Sequence, residues 1–78
     1  MTGLHERMVG ILGREVGDED RVDGLDQLTP RHLEEAALLN QRYSGLLAVY
    51  YLQLVTGEPL SALKGFADEQ RWTVGGVD

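Results

Sequence analysis

The chain has 78 residues, no cysteine, and thirteen acidic residues against seven basic ones, a formal net charge of -6. The absence of cysteine excludes disulfides, thiolate catalysis and Cys-ligated zinc or iron–sulfur sites, and the negative charge disfavours nucleic acids and anionic membranes as partners. A chain this short is expected to form a single domain, residues 1–78, that buries about 60–65% of its unfolded surface and is marginally stable alone.

The first segment has the pattern of an amphipathic helix over residues 3–16. Its apolar side chains recur at spacings of three and four residues, which places them on one face: Leu4, Met8, Ile11, Leu12 and Val16. The residues before this pattern show neither a charged start followed by an apolar stretch nor a small-residue cleavage site. We therefore expect no signal peptide and a cytoplasmic location.

Residues 17–28 are rich in aspartate and glycine, which predicts a solvated acidic loop with at most one helical turn. The loop suggests a calcium site, because Asp18, Asp20 and Asp23 precede Gly24. Aligning Gly24 with the invariant glycine of an EF-hand, however, places Pro30 where the bidentate glutamate belongs. The pattern does not support calcium binding.

A central helix is predicted over residues 30–56. Thr29 can act as the N-cap, Pro30 suits the first helical position, Gly57 is a typical stop, and Pro59 prevents continuation. A straight helix of this length is roughly 40 Å long, longer than the roughly 30 Å diameter of a domain of this size. We expect one long helix, intact or bent at Ser44–Gly45, in preference to two separate helices.

The run Leu46–Val55 is apolar on every side except at Gln53. A helix without a polar face must be covered all round, and the run is far shorter than the ~20 apolar residues of a membrane span. In so short a chain, we expect a second copy, a larger protein or an apolar ligand to supply part of the cover. The favoured assembly is a homodimer with crossed or antiparallel central helices.

A short third helix over residues 59–70 and an extended tail over residues 71–78 complete the prediction. Leu60, Leu63 and Phe66 have helical spacing, and Trp72 is expected to hold the tail against the helices. The predicted fold is all-α, with three helices.

Two sets of candidate site residues follow from the central helix. The expected interface combines the aromatic and large aliphatic side chains of a heptad-like stripe with their neighbours: Leu39, Tyr43, Leu46, Leu47, Tyr50, Tyr51 and Leu54. A possible ligand pocket at the subunit interface consists of the semi-buried polar and aromatic side chains: Asn40, Tyr43, Tyr50 and Trp72.

Catalytic and metal motifs are weak in this sequence. No serine or threonine lies in a nucleophile elbow or beside a histidine, and His5 and His32 lack the Glu-x-x-His motif of helical-bundle metal sites. We expect both histidines to be solvent-exposed or at the edge of an apolar face. We predict no catalytic residue, metal or cofactor, and favour a non-enzyme. The opening of the central helix looks like a helix-turn-helix start, but no basic helix follows.

Three functions remain open. The leading hypothesis is an accessory or regulatory subunit that binds itself or a larger protein through its apolar central helix, its acidic surface steering it towards basic partners. The second is a ligand-binding or catalytic helical dimer with a pocket between the subunits. The third is an acidic inhibitor, similar to an antitoxin, of a basic protein. All three exclude nucleic acid and membrane as the partner.

Overall fold

The computed structural model describes residues 3–72. This part of the chain is all helical, without a β-strand, which confirms the predicted all-α class. Two short 3₁₀ turns, Asp18–Asp20 and Leu25–Gln27, lie in the loop after the first helix. The four α-helices are α1 (Leu4–Leu12), α2 (Pro30–Arg42), α3 (Gly45–Thr56) and α4 (Leu60–Gln70).

The predicted ends of the central region are confirmed. The Thr29 hydroxyl accepts the backbone N–H of His32 at 3.3 Å, and Pro30 occupies the first position of α2. At the other end, Gly57 has φ +73°, a left-handed conformation in which its N–H reaches the carbonyl of Gln53 at 2.9 Å. Glycine adopts this conformation without the steric cost that a Cβ would bring.

Between these ends the chain forms two helices, which corrects the prediction of one central helix and the count of three. Tyr43 leaves the helical region, with φ -137° and ψ -84°, and Ser44 is extended. A straight rod of roughly 40 Å would exceed the longest dimension of the molecule, whose extents are 32 × 26 × 19 Å. The break lets α3 pack against α2, so that each helix buries the apolar face of the other.

Helix α1 is shorter than predicted. Gly13 ends it in the left-handed conformation, with φ +78° and an N–H bond to the Val9 carbonyl at 2.8 Å. Val16, which was expected on the last turn, instead belongs to the loop and packs against the core from there. The apolar spacing therefore continues beyond the point where the backbone stops being helical.

The core is built around α3, most of whose residues are buried. The other helices and the loop of residues 13–29 cover it, and Val22 of that loop donates its N–H to the carbonyl of Val55 at 2.9 Å. No helix within residues 3–72 is long and apolar enough to cross a membrane. The buried apolar residues are Met8, Ala36, Leu39, Leu47, Ala48, Val49, Tyr51, Leu52, Val55, Leu63 and Ala67.

Helix α4 covers the other side of α3 with Leu63 and Ala67. Trp72 donates its backbone N–H to the carbonyl of Ala67 at 3.0 Å, and its ring meets Phe66 edge to face at 5.6 Å between centroids. Trp72 is thus held against the helical core. The rest of the predicted tail, 73–78, lies outside the described residues.

Candidate functional site

The densest group of polar side chains joins the loop to α2 and α3. At its centre, Arg14 bridges two carboxylates: one guanidinium nitrogen donates to Asp20 at 2.7 Å, and the other donates to both oxygens of Glu35 at 2.8 Å. Arg31 donates to the second oxygen of Asp20 at 2.8 Å. We call this group, together with Tyr51, the arginine–carboxylate network.

Asp20 is the most enclosed member of the network, with 1% of its surface exposed. Besides the two arginines, it accepts the backbone N–H of Gly17 at 3.1 Å, which closes the short turn 17–20. This loop had been expected to be solvated throughout. A buried carboxylate is tolerated only with such partners, so Asp20 fixes the loop in place.

Tyr51 connects the network to the core. Its ring is buried on α3, and its hydroxyl donates to Glu35 on α2 at 2.6 Å. A buried tyrosine hydroxyl needs a hydrogen-bond partner, because an unpaired polar group costs free energy in an apolar environment. The pair therefore fixes the register of α3 against α2.

The electrostatics of the network favour the protonation states that these bonds require. Burial opposes ionisation of Asp20, but bonds from Arg14, the Gly17 amide and Arg31 outweigh it and lower the pKa of Asp20. The pKa of Glu35 is likewise lowered, by Tyr51 and Arg14 against burial.

The pKa values of the groups that donate hydrogen bonds in the network shift in the opposite direction. Bonds to the two carboxylates raise the pKa of Arg14, and burial together with the bond to Glu35 raises the pKa of Tyr51. At neutral pH the carboxylates are therefore ionised and the tyrosine is protonated. Because each of these groups is hydrogen-bonded to another, the network is suited to holding the loop against the helices.

The two histidines have separate surroundings. His32, which was expected to be exposed, is 4% exposed; its Nε2 lies 2.9 Å from the carbonyl oxygen of Asp20, and its Nδ1 accepts the N–H of Thr29. His5 is exposed and contacts Tyr50 and Glu15. Within residues 3–72, no group of three or more potential ligands is placed to hold a metal ion.

Few features of the sequence predict the network. Asp20 and Glu35 are separated by fifteen positions and lie on different elements, so neither helical periodicity nor i,i+4 pairing relates them. The one usable signal was Tyr51, because it places a hydroxyl group in a helix that was expected to be covered on all sides. Such a hydroxyl requires a polar partner from another element.

The seven expected interface residues divide into two groups. Leu39, Leu47 and Tyr51 are fully buried within the chain itself, so they do not lie on its surface. The other four are partly or well exposed. One of them, Tyr43, precedes Ser44, and the other three follow at spacings of three or four residues along α3. We call these four residues the aromatic strip: Tyr43, Leu46, Tyr50 and Leu54.

Helix α1 contacts both tyrosines of the aromatic strip. The guanidinium carbon of Arg7 lies over the Tyr43 ring, 4.7 Å from its centroid. The His5 ring meets Tyr50 edge to face, with Nδ1 3.2 Å from the tyrosine hydroxyl oxygen. Tyr43 nevertheless keeps 46% of its surface exposed.

The four residues of the predicted pocket have different neighbours. Trp72 packs on Phe66, and the Tyr43 ring lies under Arg7. Tyr50 meets His5, and Asn40 is half-buried on α2. An open depression of about 340 Å³ lies elsewhere, between the loop and the end of α3. Its lining residues are Arg21, Val22, Asp23, Gln53, Leu54, Val55, Thr56 and Gly57.

Comparison of the chain with models of protein families, with curated proteins and with solved structures gave no match.

Proposed function

We propose that this protein is a small interaction module, an accessory or regulatory subunit, that docks onto another protein through the aromatic strip. The observation that carries the proposal is the exposure of Tyr43, 46%, in line with three partly exposed apolar residues of α3. Tyrosine is enriched among the residues that dominate binding energy at protein interfaces. The sequence predicts an interface along the central helix, whereas this docking surface is limited to one edge of it.

Other exposed apolar residues form a poorer docking surface. Leu33 and Leu60 are 38% and 37% exposed. The residues one turn later on the same helices are Ala37 and Lys64. Neither leucine thus continues into a row of large apolar side chains. Scattered exposed leucines are ordinary on soluble proteins and need no partner.

The expected homodimer is one form of this proposal, with a second copy as the partner. Its original argument, that a short chain cannot cover an all-round apolar helix, loses force because α3 is largely covered by its own chain. What supports self-association now is the aromatic strip alone. Light scattering on a size-exclusion column, from low to high protein concentration, measures whether a dimer forms.

The test of the docking surface uses Tyr43→Asp and Leu46→Asp, with Leu33→Asp as the matched control on α2. Leu47→Asp is unsuitable, because Leu47 is fully buried and a charge there would unfold the chain. Tagged variants are used to recover partners from cells of the source organism, and recovered proteins are quantified against the wild type. Circular dichroism establishes that each variant keeps its helices.

We expect the partners recovered with the wild type and with Leu33→Asp to be lost with the two strip variants. If a dimer is the partner, the strip variants elute as monomers. Equal recovery, and an equal dimer fraction, for all four proteins would contradict the proposal.

A further inference from the structure

An arginine that forms no ion pair within residues 3–72 lies on the aromatic strip, although the chain as a whole is acidic. Arg14, Arg21 and Arg31 each pair with a carboxylate. The other four cations form no ion pair within residues 3–72: Arg7 beside Tyr43, Arg42 just before Tyr43 in sequence, and Lys64 and Arg71 on and just after α4. The chain has a surplus of acidic residues, so the missing pairs are not due to a lack of carboxylates.

Acidic groups nearby do not cancel the charge of Arg7 by direct pairing. Glu15, the carboxylate that contacts this side of α1, pairs with His5 at 3.0 Å. Glu6 is adjacent to Arg7 in sequence and exposed, but forms no ion pair within the described residues.

The contact between Arg7 and Tyr43 suits recognition of a carboxylate. A guanidinium resting on an aromatic ring keeps its planar fork of N–H donors for a carboxylate, which it binds in a bidentate manner. The ring limits the motion of the arginine, so less side-chain entropy is lost on binding. An apolar surface continues from Tyr43 to Leu46.

We infer that the partner presents an acidic amphipathic segment, with a carboxylate bound by Arg7 and apolar side chains on the aromatic strip. This inference rests on the proposed function and names the chemistry of the partner. It reverses the expectation, drawn from the net charge, that the partner is basic.

The experiment uses two synthetic amphipathic helical peptides that differ in charge alone: one of leucine and glutamate, the other with lysine in place of each glutamate. Binding of each labelled peptide to the full chain is measured by fluorescence anisotropy at low and high salt. The variants are Arg7→Glu and Arg7→Gln, with Lys64→Glu on α4 as the control for a change of charge elsewhere.

We expect the acidic peptide to bind, to bind more weakly as salt increases, and to lose about tenfold in affinity with Arg7→Glu. Arg7→Gln should give a smaller loss, and Lys64→Glu should stay within about twofold of the wild type, because it lies away from the strip. Circular dichroism of each variant excludes unfolding as the cause of a loss.

Tighter or equal binding of the lysine peptide, or equal binding by wild type and Arg7→Glu, would overturn the inference about charge. Absence of binding by both peptides would also overturn it. None of these results removes the proposed function, which depends on the loss of natural partners in Tyr43→Asp and Leu46→Asp.

Discussion

Two arginines seven positions apart, Arg7 and Arg14, make different kinds of contact. Arg14 gives its guanidinium to two carboxylates of its own chain. Arg7 rests on an exposed tyrosine ring and has no carboxylate partner within residues 3–72. The comparison separates a region whose polar groups pair within the chain from one in which Arg7 has no carboxylate partner among the described residues.

The difference shows why net charge describes this molecule poorly. Many of its acidic groups lie in the loop and at the start of α2, where Asp20 and Glu35 neutralise Arg14 and Arg31. The four cations without an ion pair within residues 3–72 lie outside that region: Arg7, Arg42, Lys64 and Arg71. The net charge of -6 therefore does not show which cations are paired.

The largest effect should come from replacing the arginine of the network. Arg14→Met leaves Glu35 without its bidentate partner, and leaves the buried Asp20 with Arg31 as its one cationic partner in the described residues. We expect a loss of about 3 kcal/mol in the free energy of unfolding, because removing one partner of an enclosed ion pair leaves an uncompensated charge. Urea unfolding followed by circular dichroism measures it.

The matched control for Arg14→Met is Arg7→Met. It removes an exposed cation–π contact, whose contribution is about 0.5–1 kcal/mol. A similar loss of stability for the two variants would mean that the network and the strip contribute alike to the fold, and the contrast between them would be wrong.

Acid should weaken the arginine–carboxylate network. The pKa values of Asp20 and Glu35 are lowered in the fold below their ordinary values of 3.8 and 4.5. Their contribution to stability is thus fully present above these ordinary values and is lost as the pH falls through the folded ones. Urea unfolding at a series of pH values should show a decline below about pH 4.5, and Arg14→Met should make that decline shallower.

Two adjacent tyrosines give a finer test of the same contrast. Tyr51→Phe removes a hydroxyl that donates to the ionised, partly buried carboxylate of Glu35, and we expect a loss of about 1.5–2 kcal/mol. Tyr50→Phe removes a hydroxyl that contacts the exposed His5, and should change stability by less than about 0.5 kcal/mol. Thermal unfolding of both variants measures this difference in stability, and equal shifts in Tm would contradict the contrast between the two tyrosines.

Two small effects of opposite sign concern the helix that carries Arg7. A Cβ added at Gly10, inside α1, meets no atom within 4 Å, so Gly10→Ala should raise stability by about 0.5–1 kcal/mol. Gly13→Ala should instead lower it by about 1–2 kcal/mol, because Gly13 has φ +78°. If both variants shifted stability in the same direction, the position at which α1 ends would be in doubt.

The parts of the fold that were predictable are those set by local chemistry. Thr29 and Pro30 begin α2, and Gly57 ends α3, because capping, a fixed φ and a left-handed glycine act over a few residues. The break at Tyr43–Ser44 was less accessible, although Ser44–Gly45 had been identified as a possible bend. Periodicity reports which faces are apolar, while the choice between a bend and two helices depends on how much surface packing of α3 against α2 buries.

The candidate sites were predictable to a smaller extent. Tyr43 and Tyr50 were identified, because aromatic side chains on a helix stripe are a local pattern. The burial of Leu47 within the chain depended on how the other helices surround α3. The pairing of Arg14 with Asp20 and Glu35 depended on how the loop returns to α2, which no local pattern encodes.

The buried ring of His32 has a spectroscopic consequence. Because Nδ1 accepts the Thr29 N–H, the ring proton belongs to Nε2, from which it is donated to the carbonyl oxygen of Asp20 at 2.9 Å. A ring proton so enclosed exchanges slowly with water and gives its own resonance, downfield of the ordinary amide region, in a proton NMR spectrum. That resonance reports whether the loop is closed on α2, and it can be followed in every variant without a label.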